Sequence, residues 1–272
     1  MTSRRSPLLY AGKAAIVTGA ASGIGLAIAR ALAARGTNLA IVDIDADALQ
    51  AARAELALTG RRVVSRVLDV RDDNAVAEAA VFFDELIGPI HLLFNNAGID
   101  MSGKLASLSL ADWHRVFDVN VFGVVHGLRH FLPLLRRHGE RAHVVNTASG
   151  AGFWVNADVA MGAYAATKYA VVAISEAMEQ ELAGTPVGVS VLCPGPVATA
   201  IAERSATAST QLRASLAAGT APEEVASCLL EATMRDEFYV FTPNRMKARL
   251  VQRTERILAA LDRVPESGRQ PA

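Results

Sequence analysis

The sequence is poor in cysteine and in aromatic residues, and neither sign of charge is in excess. Its 272 residues include 2 cysteines, and aromatic residues make up 6%. Cys193 and Cys228 are too few and too far apart for a disulfide framework or a metal site, so we expect two ordinary buried thiols and no metal. Lys and Arg number 27, as do Asp and Glu. This balance argues against nucleic acid or an anionic membrane as a partner.

Long hydrophobic runs are also missing. No apolar stretch reaches the length that spans a bilayer, and the N-terminal residues lack the apolar core of a signal peptide. We therefore expect a cytoplasmic protein. Hydrophobic residues make up 51% of the chain, which suits one large domain with a well-buried core. Residues 1–11 are predicted to be an N-terminal extension, residues 12–263 a single domain, and residues 264–272 a disordered tail.

Short apolar runs alternate with helical segments along the chain. The runs lie at residues 14–17, 39–43, 62–68, 90–94, 142–146, 187–192 and 238–241. Their apolar residues mostly run continuously instead of alternating with polar ones, which predicts parallel strands covered by helices on both faces. Right-handed crossovers make such a sheet doubly wound. The predicted fold class is therefore α/β: a single Rossmann-type domain with a mostly seven-stranded parallel sheet. One long helical region is predicted over residues 109–137, and a terminal helix over residues 245–261.

A glycine-rich turn follows the first predicted strand. It contains Gly19, Ser22, Gly23, Ile24 and Gly25. Glycines let the backbone approach a pyrophosphate closely, while the N-terminus of the next helix supplies N–H donors. A tight strand-to-helix connection is the alternative, but the position after strand one favours a dinucleotide site.

Carboxylates follow the second and third strands. Asp43 can accept both ribose hydroxyls of an adenosine and repel a 2′-phosphate. No Arg or Lys occurs at residues 20–22 or 44, so NAD is favoured over NADP. The alternative role for Asp43, a helix N-cap, is better filled by Asp45. Asp69 either caps a helix or binds the adenine amino group, and the sequence leaves both open.

Tyr164 and Lys168 are four residues apart on a predicted helix over residues 164–182. Residues at this spacing project side by side. An ammonium beside a phenol stabilises the phenolate and lowers a pKa that is otherwise about 10, towards the range where acid–base catalysis works best. The pair alone is weak evidence, because the same spacing arises by chance in many chains on an ordinary half-exposed helical face.

Together these motifs resemble the short-chain dehydrogenase/reductase family. In order they are Thr18-Gly-x-x-x-Gly23-x-Gly25, Asn95-Asn96-Ala97-Gly98, Asn120, Ser149, Tyr164-x-x-x-Lys168 and Pro194-Gly195. The resemblance covers about residues 12–200. It implies an oxidoreductase that transfers a hydride between NAD(H) and a secondary alcohol or ketone.

The resemblance also implies a role for each matching residue. Tyr164 exchanges a proton with the substrate oxygen, Lys168 lowers its pKa and binds the nicotinamide ribose, and Ser149, with Thr147 as the fallback, holds the substrate oxygen. Asn120 anchors a water linking Lys168 to solvent, unless it is a helix-surface amide. The other implied cofactor contacts are Val70, Asn96, Ala97, Gly98, Pro194, Gly195, Val197 and Thr199.

Two further segments are expected to shape the substrate site. Residues 198–222 are predicted to form a lid over a mainly apolar pocket, which suggests a hydrophobic alcohol or ketone. Residues 150–163 include Phe153 and Trp154, and either cap such a substrate or form a packed loop. The terminal helix shields the sheet edge, joins an interface or covers the pocket. The resemblance also implies a homodimer or homotetramer. The alternative functions are a non-catalytic nucleotide-binding regulator, and a lyase or epimerase on the same fold.

Overall fold

A computed structural model describes residues 8–155, 159–203, 209–242 and 246–264. Within these ranges seven strands form one sheet in the order β3-β2-β1-β4-β5-β6-β7, and every pairing is parallel. The strands are β1 (Ala14–Thr18), β2 (Asn38–Asp43), β3 (Val63–Val67), β4 (Ile90–Asn95), β5 (Ala142–Thr147), β6 (Val187–Cys193) and β7 (Tyr239–Phe241). The predicted fold class is confirmed. The strand order reverses between β1 and β4, where open sheets of this kind bind their ligands.

Helices cover both faces of the sheet. The described helices are α1 (Gly23–Ala34), α2 (Ala46–Ala57), α3 (Asp73–Ile87), α4 (Leu110–Phe117), α5 (Gly123–Arg137), α6 (Gly162–Glu181), α7 (Thr210–Ala217), α8 (Pro222–Met234) and α9 (Lys247–Leu261). Val17 of β1 packs into a core with α1, α2 and α8. Its neighbour Ile16 packs into a second core with α3, α5 and α6. Since successive strand residues point to opposite faces, both must be apolar, which explains the continuous apolar runs.

Three helical predictions need correction. The predicted single helix over residues 109–137 is two helices, because a π-helical turn at Asp118–Phe122 separates α4 from α5. The helix expected from Tyr164 begins at Gly162. Helix α8 was not predicted, although Pro222 at its first turn followed by two glutamates is a recognisable start signal. The predicted lid contains the helix α7.

The described part of the N-terminal extension is integral to the core. Leu8 and Tyr10 are buried among residues of α1 and α8. The Tyr10 hydroxyl donates a hydrogen bond to the carbonyl oxygen of Leu230 at 2.7 Å, and it also contacts Thr233. Residues 1–7, and residues 265–272 of the predicted tail, lie outside the described ranges. Among the described helices, none has both the length and the apolar character that crossing a membrane requires.

Helix α5 approaches β4 and the segment after β3 closely at two glycines. A Cβ on Gly127 would lie 2.1 Å from Oδ1 of Asn95, and one on Gly123 would lie 2.8 Å from Cγ2 of Val70. Both distances are far shorter than real contacts, so only glycine fits at either position. This packing fixes α5, and the turn before it, against the carboxyl end of β4.

Candidate active site

A groove of about 490 Å³ runs along the carboxyl ends of the strands. This volume lies within the range of small-molecule and cofactor sites. Most of the residues predicted to bind the cofactor line it: Gly19, Ser22, Gly23, Ile24, Asp43, Asp69, Val70, Asn96, Ala97, Gly98, Tyr164, Lys168, Pro194 and Thr199. Asn120 and Ser149 lie beside these residues without lining the groove.

The glycine-rich turn shapes the groove between β1 and α1. Gly19 and Gly23 have φ angles of +66° and +54°, which side chains disfavour. Gly25 does not line the groove, and a Cβ there would lie only 2.0 Å from the carbonyl oxygen of Gly19. Its role is therefore to let α1 pack against the turn. Ser22 makes no side-chain cap hydrogen bond, so the first N–H groups of α1 remain available to an anion.

At one end of the groove the Asp43 carboxylate is buried and fixed by the backbone. Its Oδ2 accepts a hydrogen bond from the N–H of Ala21 at 3.0 Å, and its Oδ1 accepts one from the N–H of Asp45 at 3.2 Å. Asp45, as expected, caps α2 by accepting from the N–H of Ala48. Asp43 therefore does not cap α2, and it lines the groove.

Asp69 is not a helix cap. Asp72 caps α3 instead, accepting from the N–H of Ala75 at 3.0 Å. The guanidinium of Arg71 contacts both carboxylate oxygens of Asp69, with Nη2 2.6 Å from Oδ2 and Nε 3.0 Å from Oδ1. These hydrogen bonds hold the pKa of Asp69 below its usual range. Arg71 lines the groove, and the sequence analysis did not identify it.

At the other end of the groove the start of α6 presents Tyr164 and Lys168. The Lys168 ammonium donates to the carbonyl oxygen of Thr147 at 2.8 Å, and its Nζ lies 5.6 Å from the centre of the Tyr164 ring. Burial lowers the pKa of Lys168 to about 8. The structure therefore brings the two side chains together as the helical spacing predicted.

The expected lowering of the Tyr164 pKa is wrong for this arrangement. Burial raises the pKa of Tyr164 to about 12, a hydrogen bond with Ser149 lowers it in part, and the charge of Asp100 raises it further. Removing the phenolate from water costs more free energy than the hydrogen bond with Ser149 returns. The sequence could not show whether the pKa of Tyr164 is raised or lowered, because the burial of this side chain depends on the fold.

Ser149 stands next to Tyr164. Its hydroxyl shares a hydrogen bond with the Tyr164 hydroxyl, and its Oγ accepts from the N–H of Ala151 at 3.1 Å, which fixes the side chain. Thr147, the fallback, also lines the groove, but its hydroxyl is 3.4 Å from Oδ1 of Asn96. Ser149, and not Thr147, is therefore the serine or threonine bonded to Tyr164.

Asn120 lies in the π-helical turn and is buried, so it is not a helix-surface amide. Its Oδ1 accepts from the N–H of Ile99 at 2.8 Å, and its Nδ2 donates to the carbonyl oxygen of Ile99 at 2.9 Å. Nδ2 also lies 3.0 Å from Oγ1 of Thr167. The amide thus joins the segment after β4 to helix α6.

The Asn95-Asn96-Ala97-Gly98 turn is tied to the end of β1. Oγ1 of Thr18 accepts from the N–H groups of Asn96 and Ala97, each at 3.0 Å. Two predicted cofactor residues beyond β6 do not line the groove. Gly195 donates its N–H to Oγ1 of Thr242, and Val197 is buried and pairs with Thr220.

Several groove residues were missed from the sequence. They are Val42, Ile44, Leu68, Arg71, Ile99, Asp100, Met101, Asp112, Arg115, Val119, Ala148, Ala200 and Ile201. Most are apolar and carry no sequence signal of their own. Asp100 is buried, and its position two residues after the Asn95–Gly98 turn was the signal that could have identified it.

The loop after Ser149 packs away from the groove. The Phe153 ring lies 5.3 Å from the Phe241 ring, and the guanidinium of Arg249 lies 4.1 Å above the Trp154 ring. These two aromatic residues therefore form a packed loop against β7 and α9 and do not cap a substrate. Residues 156–158 of this segment lie outside the described ranges. Helix α9 also contacts α6, where Arg253 lies 5.3 Å from the centre of the Tyr169 ring.

Within the described residues, one group has the donor atoms of a metal site: His91, His138 and Glu140. It lies near the start of β4, at the edge of the sheet opposite the groove. Nε2 of His138 is 2.9 Å from the carbonyl oxygen of Ile90, and its Nδ1 accepts from the N–H of Glu140. Lys13 pairs with the Glu140 carboxylate at 2.5 Å. Because both ring nitrogens of His138 and the carboxylate of Glu140 are already engaged, we assign no metal to the group.

A doubly wound parallel sheet, a glycine-rich groove at its reversal point and a Ser–Tyr–Lys cluster define a dinucleotide-dependent oxidoreductase. A family model described as short chain dehydrogenase matches residues 13–210. The chain belongs to the short-chain dehydrogenase family. It is an oxidoreductase that acts on CH–OH groups or the corresponding carbonyl groups.

Named relatives agree with this family. The chain is 40% identical over 243 residues to a 1-deoxy-11-beta-hydroxypentalenate dehydrogenase of Streptomyces avermitilis, covering 87% of this chain and 86% of the relative. It is 33% identical over 223 residues to the ketoacyl reductase HetN of a Nostoc species, covering 81% and 75%. Among solved structures, a short chain dehydrogenase/reductase from Burkholderia phymatum in complex with NAD has a TM-score of 0.88 and 37% identity, covering 96% of this chain and 99% of that one.

Proposed function

We propose that this chain interconverts a secondary alcohol and a ketone with NAD(H), using Tyr164 as the acid–base residue. The observation that carries the proposal is that Tyr164, Ser149 and Lys168 meet at one end of a groove whose other end holds Asp43. NAD bound in the groove would supply the hydride acceptor or donor. The residues of the chain then have to hold the substrate oxygen and move one proton.

The substrate oxygen would lie between the hydroxyls of Ser149 and Tyr164. Because burial favours the neutral phenol, Tyr164 is in the form that donates a proton to a ketone oxygen. In alcohol oxidation Tyr164 has to accept the proton as phenolate, and the nearby ammonium of Lys168 stabilises that charge. A positioned acid–base group is worth about 10²–10⁴-fold in rate.

Asn120 would anchor a water that connects Lys168 to solvent. A Cβ on Gly98 would lie 3.3 Å from Oδ1 of Asn120 and 3.6 Å from Nζ of Lys168. Glycine therefore keeps open the space between the two polar groups. A small hydrogen-bonded molecule fits the chemistry of this gap, since it faces an amide oxygen and an ammonium.

We also propose that the enzyme prefers NAD to NADP. A 2′-phosphate on the adenosine ribose would face the fixed carboxylate of Asp43 and be repelled. Arg71, which lines the groove beside Asp69, is paired with that carboxylate, so its charge is already matched. The Burkholderia neighbour, solved with NAD, supports the same preference.

The substrate end suits an apolar molecule. Met101, Val119 and Ile201 line the groove, and the Streptomyces relatives are named for a dehydrogenase of hydroxypentalenate. We propose a hydrophobic secondary alcohol or ketone as the substrate class, with residues 198–222 acting as a lid, of which residues 204–208 lie outside the described ranges. Thr199, Ala200 and Ile201 of that segment lie in the groove wall.

The direct test is turnover. Purified protein is offered NAD with a panel of secondary alcohols, and NADH with the matching ketones, while NADH absorbance is followed. Oxidation or reduction that disappears in Tyr164→Phe is the expected result. Absence of turnover with every pair, despite NADH binding, would refute the oxidoreductase mechanism and favour a nucleotide-binding regulator. No feature of the groove favours the lyase or epimerase alternative.

Assembly, location and domain bounds remain proposals. We propose a homodimer or homotetramer, because Leu110 and Phe122, near α4 and α5, expose 77% and 50% of their surfaces. Light scattering that gives a monomer would contradict this. We also propose a cytoplasmic location and a single domain over residues 12–263, which fractionation and limited proteolysis would test.

A further inference from the structure

The chain that follows β3 forms part of the groove at its Asp43 end. The N–H of Leu68 donates to the carbonyl oxygen of Asp43 at 3.0 Å, so the chain leaves β3 directly beside that residue. The next three residues, 69–71, all line the groove. Under the proposed function, Asp43 binds the adenosine ribose of NAD(H). The position of residues 69–71 therefore bears on how tightly the adenosine half is held.

His126 of helix α5 holds this segment from outside the groove. Its Nδ1 lies 2.8 Å from the carbonyl oxygen of Val70. A carbonyl oxygen can only accept a hydrogen bond, so Nδ1 carries a proton and donates it. The imidazole is 13% exposed and does not line the groove. It can therefore act on a ligand only through Val70.

Other contacts fix the rest of the segment. A Cβ on Gly123 would lie 2.8 Å from Cγ2 of Val70, so α5 meets both the main chain and the side chain of Val70. The guanidinium of Arg71 holds the Asp69 carboxylate at 2.6 Å. Binding groups are precise when contacts behind them lock their positions. The bond from His126 is the contact that locks the main chain here.

A second histidine on the same helix shows a different arrangement. Nε2 of His130 is 2.6 Å from Oδ1 of Asp73, which lies in the first turn of α3 and does not line the groove. His126 also faces this carboxylate, but its Nε2 is 4.0 Å away, beyond hydrogen-bond range. His130 therefore ties α5 to α3, whereas His126 ties α5 to a residue of the groove.

We propose that His126 is a positioning residue for the dinucleotide, and that its hydrogen bond to the Val70 carbonyl strengthens binding of the adenosine half of NAD(H). It takes no part in hydride or proton transfer, since those steps occur at the Tyr164 end of the groove. Without the bond, the Val70 carbonyl loses its donor and the segment loses a restraint. This inference rests on the proposed function for the place of the adenosine half, and the experiment separates the two.

The test measures binding and turnover separately. Titration of NADH fluorescence gives the dissociation constant of NADH, and its displacement by ADP-ribose gives that of a fragment without nicotinamide. His126→Leu and His126→Phe both remove the donor and leave a side chain of similar size. Each is expected to raise both dissociation constants, and the KM for NAD, by about 3- to 10-fold, with kcat at saturating NAD little changed. His126→Asn keeps an N–H donor near the position of Nδ1 and is expected to recover most of the affinity.

His130→Leu is the matched control, because it removes a histidine of the same helix that does not contact Val70. It is expected to keep both wild-type dissociation constants. Unchanged constants in the folded donor-free variants, an equal rise in His130→Leu, or a fall in kcat with KM unchanged would overturn the proposal while the oxidoreductase function stands. A wild-type protein that binds NADH but turns over no alcohol or ketone would refute that function, and the titrations would still decide the role of His126. A wild-type protein that does not bind NADH would refute both.

Discussion

Replacing Lys168 with methionine should change how the stability of the protein depends on pH. Burial lowers the pKa of Lys168 from 10.5 to about 8. Between these two pH values the unfolded chain keeps the lysine proton while the folded chain loses it. The folded state is therefore favoured increasingly as pH rises through this window, and this gain is lost as pH falls through 8. Methionine has a similar length and no proton to lose.

The shift sets the size of the effect. One pKa unit corresponds to about 1.4 kcal/mol, so the complete gain, reached above the unfolded pKa, is about 3 kcal/mol. Between pH 7 and 9, the free energy of unfolding of the wild type should rise by roughly 1 kcal/mol relative to that of the Lys168→Met variant. By pH 10 this relative increase should reach roughly 2–3 kcal/mol. Tyr164 has a raised pKa, so its effect has the opposite sign and begins only near pH 10, where unfolded phenols ionise.

Urea unfolding at a fixed protein concentration, from pH 6.5 to 10, measures this difference. Lys104→Met is the control, because Lys104 is exposed, and its curve should stay parallel to that of the wild type. Parallel curves for wild type and Lys168→Met would show that Lys168 keeps its ordinary pKa. Burial would then not lower the pKa of Lys168 as inferred. Loss of turnover in Lys168→Met is expected in either case, and does not test the argument.

Three further outcomes are expected. Tyr164→Phe should lower turnover by at least about 10²-fold with NADH binding retained, whereas Tyr169→Phe should change little; loss of cofactor binding in Tyr164→Phe would indicate a structural role instead. Asp43→Ala should narrow the ratio of kcat/KM for NAD over NADP, because it removes the repulsive carboxylate, and an unchanged ratio would place the selectivity elsewhere. Gly127→Ala should destabilise the protein by about 1–3 kcal/mol in urea unfolding, since its Cβ meets Asn95 at 2.1 Å; an unchanged midpoint would mean that α5 moves aside freely.

The sheet and most of the groove were accessible from the sequence because they depend on local patterns. Continuous apolar runs such as residues 14–17 specify strands buried on both faces. The glycine-rich turn, Asp43 and Tyr164 each follow one of those strands in the sequence. We therefore expect all three at the carboxyl edge of the sheet. Parallel strands carry their carboxyl ends to the same edge of a sheet, so residues far apart in the chain meet there.

What the sequence did not reveal depends mostly on tertiary contacts. The exception is the ion pair of Arg71 with Asp69, which forms within one turn after β3, where the N–H of Arg71 also donates to Oδ1 of Asp69. The sign of the Tyr164 pKa shift depends on burial, which no spacing of residues encodes. Gly123 directly follows the π-helical turn, but glycine also occurs inside α5 at Gly127, so this signal did not mark a break and α4 and α5 were predicted as one helix.

The π-helical turn at Asp118–Phe122 has a consequence for changes in chain length. A π turn holds about one residue more than an α turn, so deleting one residue there would close it into a regular α-helix and leave Gly127 facing Asn95. The residue displaced would be Asn120, which lies inside the turn and bonds the backbone of Ile99. A deletion at this turn should therefore disturb the position of Asn120 more than the packing of α5.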